Sequence, residues 1–201
     1  MKESRVKKLS ALAETKFLSL YNSEYLNKVG KNKSWIIASR KDYNTLKEQF
    51  WGNREEKVDA VVIVAIHKAT DKLVLVRQLR VPINDYIYEL PAGLIDGNEG
   101  IVTALKRELK EETGLDLLDI CDEVGREKVY LSPGMTDESV ALIYCTCEGT
   151  VSKEYLEEDE DLECIMVSRE EAGKLLATDN KMDIKAYLVL HDFANNHLFL
   201  F

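Results

Sequence analysis

The sequence predicts a mixed α/β fold: one mixed sheet sandwiched between helices, preceded by a small N-terminal β-hairpin region. Three observations carry that expectation. Val58 to His67 (VDAVVIVAIH) and Lys72 to Arg80 (KLVLVRQLR) are β-branched runs separated by a polar turn, which read as neighbouring strands with a buried face. Helical patterns follow some strands and not others, so regular βαβ alternation is absent. The chain has 201 residues, 45% hydrophobic and 31% charged, with 3 Pro and 10 Gly. At about 150 residues per domain that is one domain with an appendage, and it excludes collagen-like, low-complexity and wholly disordered chains.

Taken in order, Lys16 to Leu26 and Ser34 to Ser39 flank Val29-Gly30-Lys31-Asn32-Lys33, apolar and aromatic runs around a Gly/Asn turn that read as a hairpin. A lone hairpin is marginally stable, and Phe17, Leu18, Tyr21, Trp35, Ile36 and Ile37 are more apolar surface than a small head should bury, so a homodimer is expected. The polar stretch Lys41 to Lys57 divides this head, 1–56, from a body, 57–201. The body opens with the two apolar strands and a short third, Tyr86 to Leu90. A helical pattern runs from about Glu99 to Thr113 and stops at Gly114, a C-cap residue. Further strands are expected at Val129 to Leu131, Val140 to Cys147 and Leu162 to Val167, then helices at Arg169 to Ala177 and Asp183 to Asn195.

Composition narrows the function. Lys plus Arg total 27 against 36 Asp plus Glu, a formal charge of -9, and such a field repels a phosphate backbone, so nucleic acid is not an expected partner. Cys121, Cys145, Cys147 and Cys164 form no CxxC pair, and His67, His191 and His197 are unclustered, which argues against zinc, a disulfide framework or a nucleophilic triad. The start, MKESRVKKLS, has no apolar leader and no segment approaches a membrane span, so a cytoplasmic protein without membrane contact is expected.

The informative stretch is Gly93-Leu-Ile-Asp-Gly-Asn-Glu99, then seven residues to Arg107-Glu108-Leu-Lys-Glu111-Glu112-Thr-Gly114-Leu115. At about 100° per residue Ile101, Ala104 and Leu105 form an apolar face, and Glu108 and Glu112 fall within it, while Thr103, Lys106 and Lys110 point the other way. Arg107 and Glu111 fit an ordinary solvated i,i+4 pair. Glu108 and Glu112 do not, because carboxylates on a buried face need a compensating cation. Oxygen-only ligation favours Mg²⁺ or Mn²⁺.

Gly93 to Leu115 matches GX5EX7REUXEEXGU, with U aliphatic, at every specified position, and the chain is thereby identified as resembling the Nudix hydrolases. The resemblance implies an α/β/α sandwich that hydrolyses a nucleoside diphosphate linked to another moiety with a divalent metal. Glu108, Glu111 and Glu112 would be the metal carboxylates, Glu99 and Arg107 would orient loop and helix, and Gly93 would permit the turn. Glu89-Leu-Pro-Ala-Gly93 before the box, Ser132-Pro-Gly134 after it and the acidic Glu158-Asp-Glu160-Asp161 resemble the ADP-ribose pyrophosphatase branch.

In that branch the carbonyl at Ala92 is a metal ligand and an acidic loop supplies a catalytic glutamate, here among Glu157, Glu158 and Glu160. Glu158 aligns best and Glu160 second; should neither serve, Glu111 or a metal-bound hydroxide takes the role. Arg80 of VRQLR resembles the branch's substrate-contacting arginine. Trp35 and Arg40 of SWIIASR resemble its adenine-holding hairpin, and Glu89 and Gly134 complete the expected substrate contacts. The expected activity is Mg²⁺-dependent hydrolysis of ADP-ribose, or a similar nucleoside-diphosphate sugar, to AMP and ribose 5-phosphate. The rivals are hydrolysis of another nucleoside-diphosphate derivative and a non-hydrolysing nucleotide-sugar binding module.

Overall fold

The computed structural model describes residues 4–52, 57–121, 124–156, 158 and 160–198. They fall into two compact units, the first comprising 1–59 with 129–140 and the second 60–128 with 141–201.

The first unit is a three-stranded antiparallel sheet with a helix. Strands β1 (Val6–Glu14), β2 (Ser19–Leu26) and β3 (Asn32–Ser39) pair in sequence order. The hairpin of β2 and β3 is in unbroken register from Ser19↔Ser39 to Leu26↔Asn32. β1 adds a strand that the sequence reading lacks, with register shifts at Val6/Lys8 and Ala11/Ala13. The polar stretch read as a boundary begins with helix α1 (Tyr43–Trp51), whose N-cap Asp42 accepts from Thr45 N–H. Leu46 of α1 packs with Leu9 and Tyr21 in a small core flanked by Tyr43 and Phe50. Tyr21, expected among the exposed head residues, is therefore buried, and its hydroxyl donates to the Lys41 carbonyl at 2.9 Å. Phe17, Leu18, Trp35 and Ile36 are exposed as expected.

The second unit is built on a mixed eight-stranded sheet. Its strands are β4 (Ala60–His67), β5 (Lys72–Arg80), β6 (Asp85–Glu89), β7 (Ala92–Leu94), β8 (Asp116–Ile120), β9 (Arg126–Tyr130), β10 (Ser139–Glu148) and β11 (Leu162–Val167). The order along the sheet is β11-β5-β4-β10-β8, with β6 beside β5, β7 beside β4 and β9 beside β10. β4 is buried at every position, so both sheet faces are covered there, as a sandwich requires. Helix α2 (Ile101–Thr113) packs on β4, β7, β8 and β11. Helices α3 (Arg169–Leu176) and α4 (Ile184–Ala194) pack on each other, α3 also on β11 and α4 on β5 and β6. Cys145 and Cys147 share a buried face of β10, where burial pushes both thiols up to about 12 and leaves them unreactive. Among the described residues no helix is long and apolar enough to cross a membrane.

Candidate active site

Helix α2 carries the acids because its buried stripe is interrupted by charge. Ala104, Leu105, Leu109 and Thr113 are buried, and Glu108 and Glu112 are buried with them at 7% and 5% exposure. Burying Leu105 and Leu109 stabilises this face by about 1.5–3 kcal/mol each, enough to hold acids where their own solvation would not. The helix ends at Gly114, whose φ of 76° is left-handed and whose missing Cβ would lie 2.6 Å from Ser152 N. Lys110, expected on the solvent side, lies half-buried and bonds the Gly114 carbonyl and Asp116.

At the other side of the site, β7 pairs with β4 through Val61↔Gly93 and Val62↔Ala92. A Cβ on Gly93 would lie 1.9 to 2.1 Å from the Glu108 carboxyl group, so any larger residue would push that carboxyl from its place. One residue earlier, Ala92 N–H donates to Glu112 Oε2 at 2.9 Å. Two backbone positions of β7 thus meet the two buried acids of α2.

Arg107 gathers the rest of the box. Its Nη1 donates to Glu108 Oε1 at 2.7 Å and Glu111 Oε2 at 2.9 Å, and its Nη2 to Glu99 Oε1 at 2.6 Å and the Leu94 carbonyl at 2.9 Å. Glu99 also accepts from Asp96 N–H at 2.9 Å, and the Arg107 bond holds its carboxyl below the usual range. Glu108 is shifted the other way: burial raises its pKa although Arg107 opposes the shift. Burial drives Glu112 up to about 8, with the Ala92 N–H opposing and the charges of Glu108 and Glu160 adding to the rise. Among the described residues Glu112 has no salt-bridge partner.

Arg80 bonds Glu89 Oε2 at 2.7 Å, joining two expected substrate contacts, and its charge reaches Glu112. Glu160 exerts its charge on both buried acids, and Glu158 is exposed. Glu157 lies outside the described residues.

As these side chains stand, no three Asp, Glu, His or Cys residues among those described converge on one metal position, and Arg107 bonds one oxygen each of Glu108 and Glu111. The donor set nonetheless suits a hard divalent cation. It is all carboxylate oxygen, and a buried acid raised to about 8 is one whose ionised form lacks enough positive charge.

The remaining expected contacts lie in the first unit. Trp35 Nε1 donates to the Gly134 carbonyl at 2.9 Å, and Arg40 Nε donates to Glu138 at 2.6 Å. Trp35 and Gly134 line a cavity of about 510 Å³ together with Tyr25, Phe50, Tyr130 and Asp137. The two tyrosines, Phe50 and Asp137 are additions to the sequence reading. They are far apart in the chain, and no local pattern marks them.

The model of the NUDIX domain matches residues 56–189, two thirds of the chain and the whole of this acidic site. The chain belongs to the NUDIX family. This NUDIX chain is 38% identical over 132 residues to an ADP-ribose pyrophosphatase of Bacillus subtilis, covering 63% of the chain and 69% of that relative. It is 30% identical over 164 residues to an ADP-ribose pyrophosphatase of Saccharomyces cerevisiae, 77% of the chain and 65% of that relative. An ADP-sugar pyrophosphatase of Mus musculus is 27% identical over 143 residues, 69% of the chain and 59% of the mouse protein. The chain thus spans slightly under two thirds of the yeast relative's length. A crystal structure of an ADP compounds hydrolase superposes over 98% of both chains with a TM-score of 0.71 at 18% identity, which establishes a shared fold.

Proposed function

We propose that this NUDIX chain is a divalent-metal-dependent pyrophosphatase that splits ADP-ribose, or a similar nucleoside-diphosphate sugar, into AMP and the sugar phosphate. The observation that carries the reading is the pair Glu108 and Glu112, buried against β7 with less positive charge around them than two ionised carboxylates need.

Glu108, Glu111, Glu112 and the Ala92 carbonyl would hold Mg²⁺ or Mn²⁺. When bound, the cation neutralises pyrophosphate charge and makes a bound water more acidic. The chain's own residues do the remainder. Arg107 keeps loop and helix acids aligned through Glu99, Glu108 and Glu111. Arg80, oriented by Glu89, offers a guanidinium to the diphosphate. Glu160 takes the proton of the attacking water; the new P–O bond forms as the bridging P–O bond breaks, and its electron pair leaves with the departing phosphate. Glu160 is preferred to Glu158 because its charge is felt at both buried acids. Trp35 with its aromatic neighbours gives the first unit a surface suited to a nucleobase, and the exposed Phe17, Leu18 and Ile36 support a homodimer.

The test is incubation with ADP-ribose and millimolar Mg²⁺ or Mn²⁺, with AMP read by chromatography beside dinucleoside polyphosphates and oxidised nucleotides. AMP formation that EDTA abolishes is expected. A chain that binds ADP-ribose and metal without forming AMP is a binding module, and turnover of another compound alone reassigns the substrate. Glu160→Gln should lower kcat at least about a hundredfold with KM nearly unchanged, and Glu158→Gln only a few-fold. Light scattering at micromolar concentration should give the mass of two chains.

A further inference from the structure

The loop between β10 and β11 that carries Glu160 is tied at both ends. Near its start Ser152 N–H donates to the Thr113 carbonyl at 3.0 Å, and the Lys110 ammonium lies 5.2 Å from the centre of the Tyr155 ring. At its end Asp161 is held twice. Its carbonyl accepts from Leu79 N–H of β5 at 3.0 Å, and its carboxylate accepts from the Tyr86 hydroxyl of β6 at 2.5 Å. The Tyr86 ring is itself braced: the Arg77 guanidinium lies 4.5 Å from its centre, and Arg77 reaches Glu163 of β11 at 3.7 Å. Two strands, β5 and β6, therefore hold the residue that follows Glu160, and β11 braces the arginine behind the clamping ring.

We propose that Tyr86 is a positioning residue, which by clamping the Asp161 carboxylate fixes where Glu160 stands relative to Glu108 and Glu112. The inference rests on the reading of Glu160 as the group that handles the attacking water. With only the Leu79 bond, the peptide at Asp161 can pivot about the strand edge. The second bond, a short charge-assisted one to a braced ring, removes that pivot. Misplacing a reacting group by about 1 Å can cost up to about a hundredfold in rate, so a clamp one residue away has leverage that its half-exposed position conceals.

Tyr86→Phe keeps the ring under Arg77 and removes one oxygen. It should lower kcat about tenfold or more while KM and the Mg²⁺ requirement stay within about twofold, and amide exchange at residues 160 and 161 should quicken about tenfold. In a Glu160→Gln background the same change should cost nothing further. Asp161→Asn, whose amide oxygen still accepts, should keep kcat within about threefold, and Asp161→Ala should fall with Tyr86→Phe. Unchanged exchange in Tyr86→Phe, wild-type kcat despite faster exchange, or a full additional loss on top of Glu160→Gln would each overturn the proposal. If the parent chain forms no AMP, faster exchange at 160 and 161 in Tyr86→Phe still upholds the clamp while the substrate reading fails.

Discussion

The chain buries two sets of acids and treats them in opposite ways. In the first unit Asp59 and Asp137 sit 13% and 14% exposed around Lys41, whose ammonium lies 2.9 Å from each. Burial alone would lower that ammonium's pKa, but bonds to Asp137 and Asp59 outweigh it and raise the pKa. Asp59 also accepts from Ser139 N–H at 2.8 Å. In the second unit Glu108 and Glu112 are buried too, but of the two only Glu108 is bonded by Arg107, and both are raised. A set of acids closed on an internal cation holds a structure together; a set left short of positive charge is an incomplete site. Burial is similar in both, so the position of the nearest cation is what separates scaffold from chemistry.

The comparison is broken most visibly by Glu112→Gln, which preserves size and removes the charge. It should lower kcat by about three orders of magnitude or more in a Mg²⁺-dependent assay while metal-free thermal stability holds or rises. A turnover near that of the parent would make Glu112 as structural as Asp59. The converse change, Lys41→Met, leaves two buried carboxylates facing each other and should cost about 3–5 kcal/mol in denaturant unfolding. A cost near zero would remove the distinction from the other side. The smallest expected effect is a pH slope. Glu112 titrates at about 8 in the fold against 4.5 in the open chain, so the folded state holds a proton that the unfolded state has released between those values. Metal-free stability should then fall as pH climbs from about 4.5 to about 8, and Glu112→Gln should flatten the slope. A slope of the opposite sign in EDTA would mean that Glu112 is already balanced.

The acidic box was legible because its charges sit on an apolar helical stripe, a conflict that one-dimensional periodicity exposes. The central strands were legible for the same kind of reason: β4 and β5 are runs of Val, Ile and Leu with turn residues between. What escaped has no such signal. β1, with the sequence VKKLSALAE, is a strand because β2 supplies its hydrogen bonds, and its own residues carry little β preference. α1 buries only Leu46, too little for an apolar period to emerge from KDYNTLKEQFW. β7 is three residues long and includes Gly93, which would ordinarily weaken a strand. The pairs Tyr86 with Asp161 and Trp35 with Gly134 lie 75 and 99 residues apart, distances over which side-chain chemistry leaves no pattern in a single sequence.

The membership of residues 129–140 in the first unit has a consequence for exchanging parts between relatives. Within that unit Ala38 N–H donates to the Met135 carbonyl at 2.9 Å, Trp35 bonds Gly134, Arg40 bonds Glu138, and Lys41 bonds Asp137. A fragment cut near residue 57 would carry those acceptors away from every one of their donors. A graft that swaps only the leading segment would set a foreign β3 against a native turn. The transferable piece is discontinuous: 1–59 and 129–140 must travel together, and a chimera built from both should fold where either alone would not.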